Sequence, residues 1–142
     1  MVDQDSMSVI VTDTGFAPDD ADHVAVALED LGDGPAALVD IASDADPEVL
    51  TDRLNDIRMI RVAFPSSADG RGFTIASRLR LMGFKGRLRA QGHVLSDQYA
   101  MARRAGFDEI EISADLARRQ PEDQWLRRAD WQAHDYQARL RG

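Results

Sequence analysis

The chain has no cysteine among its 142 residues, and this absence excludes several kinds of chemistry at once. Disulfide bonds, thiolate nucleophiles, iron–sulfur clusters and cysteine-ligated zinc all require this residue. Histidine is scarce as well: His23, His93 and His134 lie far apart and show no spacing that places two metal ligands on one helical face. We therefore expect no metal site.

The sequence also lacks a long apolar run and a targeting segment. No stretch approaches the roughly 20 apolar residues that span a bilayer. Residues 1–7 are polar and acidic, without the apolar centre of a secretory signal. We expect no membrane contact, a cytoplasmic location and a flexible leader over residues 1–7.

The balance of charge is acidic, with a formal net charge of -8. General nucleic-acid binding needs a basic surface that neutralises phosphates, so this balance argues against a nucleic-acid partner. Between Arg71 and Arg104, however, the chain is locally basic. A basic region on an acidic protein suits a small anionic ligand or an acidic protein partner.

Segments of strand and helix character alternate along the chain, which predicts a single α/β domain over residues 1–142. About five mainly parallel strands, joined by right-handed crossovers, fit an open three-layer sheet. The strands are predicted at 8–12, 35–41, 57–64, 87–90 and 109–112. Residues 121–142 are predicted to form a C-terminal helical segment. Its aromatic group, Trp125, Trp131 and Tyr136, packs on the body, on another subunit or over a ligand.

Two helices are predicted between the first three strands. The first is indicated by four apolar residues at helical spacing before Gly32, namely Ala21, Val24, Leu28 and Leu31. Asp46 followed by Pro47 predicts a capped start for the second, whose core-facing residues would be Val49, Leu50 and Leu54. Farther on, Gly83-Phe84 and Gly106-Phe107 each predict a helix end with a left-handed glycine.

Residues 64–74 are predicted to hold the functional site because they join the end of a strand to the start of a helix. Gly70 and Gly72 allow a sharp bend there. In parallel α/β proteins, ligands bind beyond the carboxyl ends of strands, where the free N–H groups of helix starts attract anions. Asp69 and Arg71 would lie at this position. An ordinary solvated turn explains the Asp-Gly pair equally well.

Parallel strands would bring four loops to one edge of the sheet: 13–15, 43–46, 65–72 and 92–97. The side chains that could then meet are suited to anion binding and proton transfer, and they are Asp13, Asp69, Arg71, His93, Asp97 and Gln98. Arg89 points either into this site or to the opposite face of the sheet. No GxGxxG, P-loop or GxSxG pattern is present, so no cofactor is identified.

The second half of the chain closely resembles a bacterial family of unknown function. The shared features are an aromatic-proline strand end, Asp-Gly-Arg-Gly, Leu-Arg, Leu-Arg-Ala-x-Gly and Asp-Gln. They stand at Phe64-Pro65, Asp69 to Gly72, Leu79-Arg80, Leu88 to Gly92 and Asp97-Gln98. Members of that family are often labelled as probable oxidoreductases of sulfite reduction. The resemblance implies a place in assimilatory sulfur metabolism, near sulfite reductase.

Two functional hypotheses follow. In the first, arginines hold an oxyanion such as sulfite or a phosphate, and an aspartate orients the ligand or moves a proton. The residues in these roles are Arg71 and Arg89 for the anion, Asp69 and Asp97 for the proton, and Gly70, Gly72, His93 and Gln98 as further contacts. In the second, the chain is a non-catalytic accessory protein. It would bind a sulfite-reduction enzyme, or itself as a homo-oligomer, through its basic helices and aromatic C-terminal segment.

Overall fold

The structure is a computed structural model that describes residues 8–20, 25–32 and 36–129. In these ranges its strands are β1 Ser8–Thr12, β2 Gly15–Pro18, β3 Ala25–Ala27, β4 Leu38–Ile41, β5 Met59–Phe64, β6 Arg87–Gly92 and β7 Glu109–Ser113. Its α-helices there are α1 Arg71–Leu81, α2 Tyr99–Ala105, α3 Ala114–Arg119 and α4 Glu122–Leu126. The strands form one sheet in the order β2-β1-β7-β6-β5-β4-β3. Among the described helices, none combines the length and apolar character needed to cross a membrane.

The α/β class is confirmed, but the sheet is mixed and contains seven strands where about five were predicted. Strands β3 to β7 run parallel to one another. Strand β1 instead pairs antiparallel with both β2 and β7. The tight turn after Thr12, where Gly15 adopts a φ of 119° and the chain reverses at once into β2, accounts for the antiparallel β1–β2 pair.

The prediction of a helix before Gly32 is wrong for residues 25–31, which the structure describes. Residues 25–27 form β3, and Leu28–Asp30 form a short 3-10 turn. Strand β3 pairs with β4, with Ala25 opposite Leu38. Pairing at the sheet edge satisfies the backbone, so tertiary contact overrides the helical spacing of the side chains. Ala21 and Val24 lie outside the described residues.

The predicted helix start at Asp46 is confirmed, although the helix is short. The Asp46 carboxylate accepts a hydrogen bond from the Glu48 N–H at 3.0 Å, and Pro47 occupies the first position. The chain then forms two 3-10 turns, Pro47–Leu50 and Leu54–Asp56. Leu50 and Leu54 are buried as predicted. Val49 is 62% exposed, so its predicted core position is wrong.

Both predicted glycine–phenylalanine helix ends are confirmed. Gly83 and Gly106 have φ values of 103° and 118°. The Phe84 N–H donates to the Leu79 carbonyl at 3.0 Å, and the Phe107 N–H donates to the Ala102 carbonyl at 3.1 Å. Each phenylalanine is buried, so both helices end in the same Schellman-type arrangement.

Within the described ranges the main hydrophobic core lies on one face of the sheet, and the buried apolar residues Ile10, Leu38 and Met59 lie outside it. Its strand residues are covered by α1, α2 and Trp125 of α4, and they include Ile60, Val62, Phe64, Leu88, Ala90, Ile110 and Ile112. The described residues therefore form two layers instead of the predicted three. The alternation of Arg87-Leu-Arg-Ala and Glu109-Ile-Glu-Ile explains this, since successive strand residues point to opposite faces.

The opposite face carries a network of arginines and carboxylates. Arg89 is fully buried there and donates to Glu109 at 2.6 Å and to Glu111 at 2.8 Å. Arg61 donates to both Asp40 oxygens at 2.6 and 2.7 Å. Asp19 and Asp20, which follow β2, also reach Arg89 and Arg87 from above the sheet. Buried charges of this kind are tolerated only when they are paired, as these are.

The C-terminal segment packs on the body of the domain at Trp125. This side chain is 1% exposed and stands edge-on to Tyr99, with ring centroids 6.3 Å apart. Its indole N–H donates to the Gln120 carbonyl at 2.9 Å. Body packing, one of the alternatives left open, is thus found for Trp125. Trp131, Tyr136 and the predicted flexible leader lie outside the described residues.

Candidate functional site

The loops after β5 and β6 meet at the carboxyl edge of the sheet, where the sequence predicts the site. Gln98 joins them, because its Nε2 donates to the Ser67 carbonyl at 2.8 Å and its Oε1 accepts from the Leu95 N–H at 2.9 Å. The His93 N–H also donates to the Phe64 carbonyl at 2.9 Å. The two loops therefore form one connected surface.

Two glycines allow this close approach. A Cβ on Gly72 would lie 2.4 Å from the Phe64 ring, and one on Gly92 would lie 2.4 Å from the Phe64 carbonyl oxygen. Gly92 also has a φ of 125°, which strains any other residue. The space beside Gly70 is open. Gly72 and Gly92 thus shape the edge by packing, whereas Gly70 leaves room beside Arg71.

Arg71, the first residue of α1, is held in a fixed orientation. Its Nε and Nη2 donate to the two Asp69 oxygens at 2.9 and 2.8 Å, and Nη2 also donates to the Ser43 hydroxyl at 3.2 Å. The Asp69 carboxylate accepts the Arg71 backbone N–H as well, at 3.1 Å. The Arg71 side chain is nevertheless 62% exposed. A planar guanidinium fixed in this way can present its remaining N–H groups to an anion.

The charge state of Asp69 follows from these contacts. Hydrogen bonds from the Arg71 guanidinium, and then from the Ser43 hydroxyl, hold the pKa of the Asp69 carboxyl well below its usual range. Each bond favours the ionised form. Asp69 therefore stays a carboxylate near neutral pH and is a weak base, which suits orientation of Arg71 better than transfer of a proton. Its predicted proton-transfer role stays a prediction.

A cavity of about 380 Å³ opens beside these loops, toward the charged face of the sheet. It lies at the ends of β5, β6 and β7, and Ser8 enters it because the antiparallel β1 begins at this edge. Its polar lining is Ser8, Gln91, His93, Glu111 and Ser113. The Glu111 carboxylate there accepts from Ser8, Gln91, Arg61 and Arg89. The cavity therefore presents hydroxyl, amide and imidazole groups around the Glu111 carboxylate, which is paired with arginines.

The structure brings some of the predicted site residues together and separates others. Asp69, Gly70, Arg71 and Gly72 share the first loop, and His93, Asp97 and Gln98 share the second. His93 and Asp97 are exposed.

Asp13 is at the opposite edge, where it accepts from Tyr99 and Arg103, because β1 runs antiparallel. Arg89 lies in mid-strand on the charged face, so the predicted pairing of Arg71 with Arg89 around one anion is not formed.

Three contributors to this edge were not identified from sequence, namely Ser8, Gln91 and Glu111, whereas Ser43 lies in loop 43–46, which was predicted to reach it. Gln91 and Glu111 carry a usable signal, since each follows its charged neighbour on the strand by two residues and so shares its face. Ser8 carries none, because its position at this edge depends on the direction of β1. Within ranges 8–20, 25–32 and 36–129, no group of three or more carboxylates or histidines could hold a metal ion.

We expect Gln98→Ala to lower the free energy of unfolding by about 1–2 kcal/mol, because it removes the hydrogen bond to Ser67 that joins the loops and the bond from the Leu95 N–H within the second loop. Chemical denaturation measures this change. Asp97→Ala is the matched control, since Asp97 is the exposed neighbour, and its effect should stay within about 0.5 kcal/mol. Equal effects of the two substitutions would show that the amide does not hold the loops together.

These features define a two-layer α/β protein with an anion-compatible edge formed by the loops after β5 and β6. The chain belongs to the family described as "Bacterial protein of unknown function (DUF934)", whose model matches residues 38–142. The match covers β4 to β7 and all four described helices. No curated protein and no solved structure matches the chain.

Proposed function

We propose that this protein acts in sulfur assimilation, in or beside sulfite reduction, and binds an oxyanion or phosphate-bearing ligand at loops 65–72 and 92–98. The observation that carries the ligand site is the exposed, fixed guanidinium of Arg71 at the start of an 11-residue helix. The resemblance of the second half of the chain to proteins labelled for sulfite reduction supports the metabolic setting. A redox role would follow from that resemblance alone.

The contacts of Arg71 define what it can offer a ligand. Bonds to Asp69 and Ser43 occupy Nε and Nη2, whereas the N–H groups of Nη1 make no bond within the described ranges. A sulfite, sulfate or phosphate oxygen can accept these N–H groups. Asp69 and Asp44 oppose anion binding by their charge, so the site favours a ligand with additional groups in the neighbouring cavity.

Arg71→Ala should abolish stabilisation by the ligand. At about ten times its Kd, a ligand adds about 1.4 kcal/mol of stability, which raises Tm by about 3–6 °C in a domain of this size. A thermal-shift panel tests this with sulfite, sulfate, phosphate, adenosine phosphosulfates, flavin and nicotinamide nucleotides. Arg78→Ala is the matched control, because Arg78 lies on the same helix and pairs with Asp46 and Glu48 away from the loops.

Equal shifts of wild type and Arg71→Ala with every stabilising compound, or no shift with any compound, would contradict this site and favour the accessory-protein hypothesis. The basic helices give that hypothesis limited support, because Arg80 and Arg103 form ion pairs within the chain, with Asp108 and Asp13 respectively. A deletion that tests it should begin after Ala129. Deletion from Pro121 would remove the buried Trp125, so a loss of assembly could not be distinguished from a loss of folding.

A further inference from the structure

A second cavity lies at the amino edge of the sheet, opposite the loops after β5 and β6. It measures about 780 Å³ and is lined by Arg58, Arg80, Lys85, Gly86, Arg87, Gly106 and Asp108. Four of these seven residues are cationic and one is anionic, although the whole chain carries a net charge of -8. A local excess of positive charge on an acidic protein concentrates anions at that point.

Arg80 forms a rigid wall of this cavity. Its guanidinium donates to the carbonyls of Phe84, Gly86 and Gly106 at 3.0, 2.8 and 3.0 Å, and to Asp108 at 2.9 Å. Gly86 lets the backbone come close, since a Cβ there would lie 2.5 Å from the Arg58 carbonyl oxygen. The backbone around the cavity is therefore fixed before any ligand arrives.

The cations of the cavity fall into two groups. Arg80 and Arg87 are neutralised by Asp108, Asp20 and Glu109. The Arg58 and Lys85 side chains are exposed and make no hydrogen bond or ion pair within the described ranges. The uncompensated charge thus belongs to Arg58 and Lys85, which are also free to close around a ligand.

We propose that this cavity binds a small polyanion that carries phosphate or sulfate groups. Its volume lies within the range of small-molecule sites, roughly 300–1,000 Å³. The lining contains no aromatic or aliphatic side chain that could form the apolar centre of a protein interface, which favours a small ligand. Guanidinium and ammonium groups in one lining suit the several negative charges of a polyanion.

Pyrophosphate binding measured by isothermal titration calorimetry tests this inference. Relative to wild type, we expect Arg58→Gln and Lys85→Gln each to raise the Kd of this cavity about ten-fold, and the double variant to lose binding in this cavity. Both side chains are exposed, so circular dichroism and Tm should stay unchanged. Inorganic phosphate and sulfate should bind more weakly than pyrophosphate, and added salt should weaken all three.

Arg71→Ala removes the loop site proposed above, so the titrations are repeated in that background, where the pyrophosphate affinity of the amino-edge cavity should be unchanged. The inference is therefore separable from the proposed function, because each site has its own variants. Absence of pyrophosphate binding to wild type, or equal affinity of the double variant, would overturn it. Loss of binding in Arg71→Ala alone would place the anion at the loops instead. Tighter binding of a polyglutamate peptide than of pyrophosphate would overturn the assignment to a small anion.

Discussion

Arg89→Met is expected to lower the free energy of unfolding by about 3–5 kcal/mol, because removal of one partner from a buried ion network leaves charge without compensation. Arg89 is 0% exposed, and it contacts Glu109 and Glu111, which are themselves buried. Urea denaturation followed by circular dichroism measures the change. A loss of this size is a large share of the roughly 5–15 kcal/mol that stabilises a typical domain.

Arg119→Met is the matched control for this prediction. Arg119 also pairs with a carboxylate, Asp115 at 2.7 Å, but its side chain is 67% exposed. Its replacement should change stability by no more than about 0.5 kcal/mol.

If Arg89→Met fails to fold, the double variant Arg89→Met, Glu109→Gln should recover part of the stability, since it removes one uncompensated charge. A single-variant loss below about 1 kcal/mol would show that the network does not depend on Arg89.

Trp125→Ala should destabilise the protein by about 3–5 kcal/mol, through loss of a buried aromatic side chain and the cavity that it leaves. Trp125 packs edge-on against Tyr99 in the core, and its indole N–H donates a hydrogen bond to the Gln120 carbonyl. Thermal and urea unfolding report the loss. The result also tests whether α4 is part of the folded body, because a segment that only covers a ligand could be truncated with little effect on stability.

Leu126→Ala is the control for Trp125, because it removes a large apolar side chain from the adjacent position. Leu126 is 41% exposed, so its loss should cost less than about 1 kcal/mol. Trp125→Phe keeps an aromatic ring but loses the indole hydrogen bond, and it should fall between the two. Similar effects of Trp125→Ala and Leu126→Ala would contradict the buried position of Trp125.

The site was predictable in part, because the loops after β5 and β6 follow strands that are evident in the sequence. The motif around Asp69 and Arg71 was predicted to lie at the carboxyl edge, and the structure places both there. The partners of these residues were not predictable. Ser43 reaches Arg71 from another loop, and Arg89 proved to face away from it, since its orientation depends on which face of β6 meets the helices.

The sequence by itself determined the α/β class and the approximate positions of five strands, which are β1, β4, β5, β6 and β7. It also determined the start of the 3-10 turn at Asp46-Pro47 and both glycine–phenylalanine helix ends. These features arise from local causes, namely alternation, capping and the freedom of glycine at positive φ. Only the tertiary structure decided the antiparallel direction of β1, the edge strand β3 and the ion network around Arg89. These depend on pairing between residues distant in the chain, where backbone hydrogen bonds and charge compensation outweigh local preference.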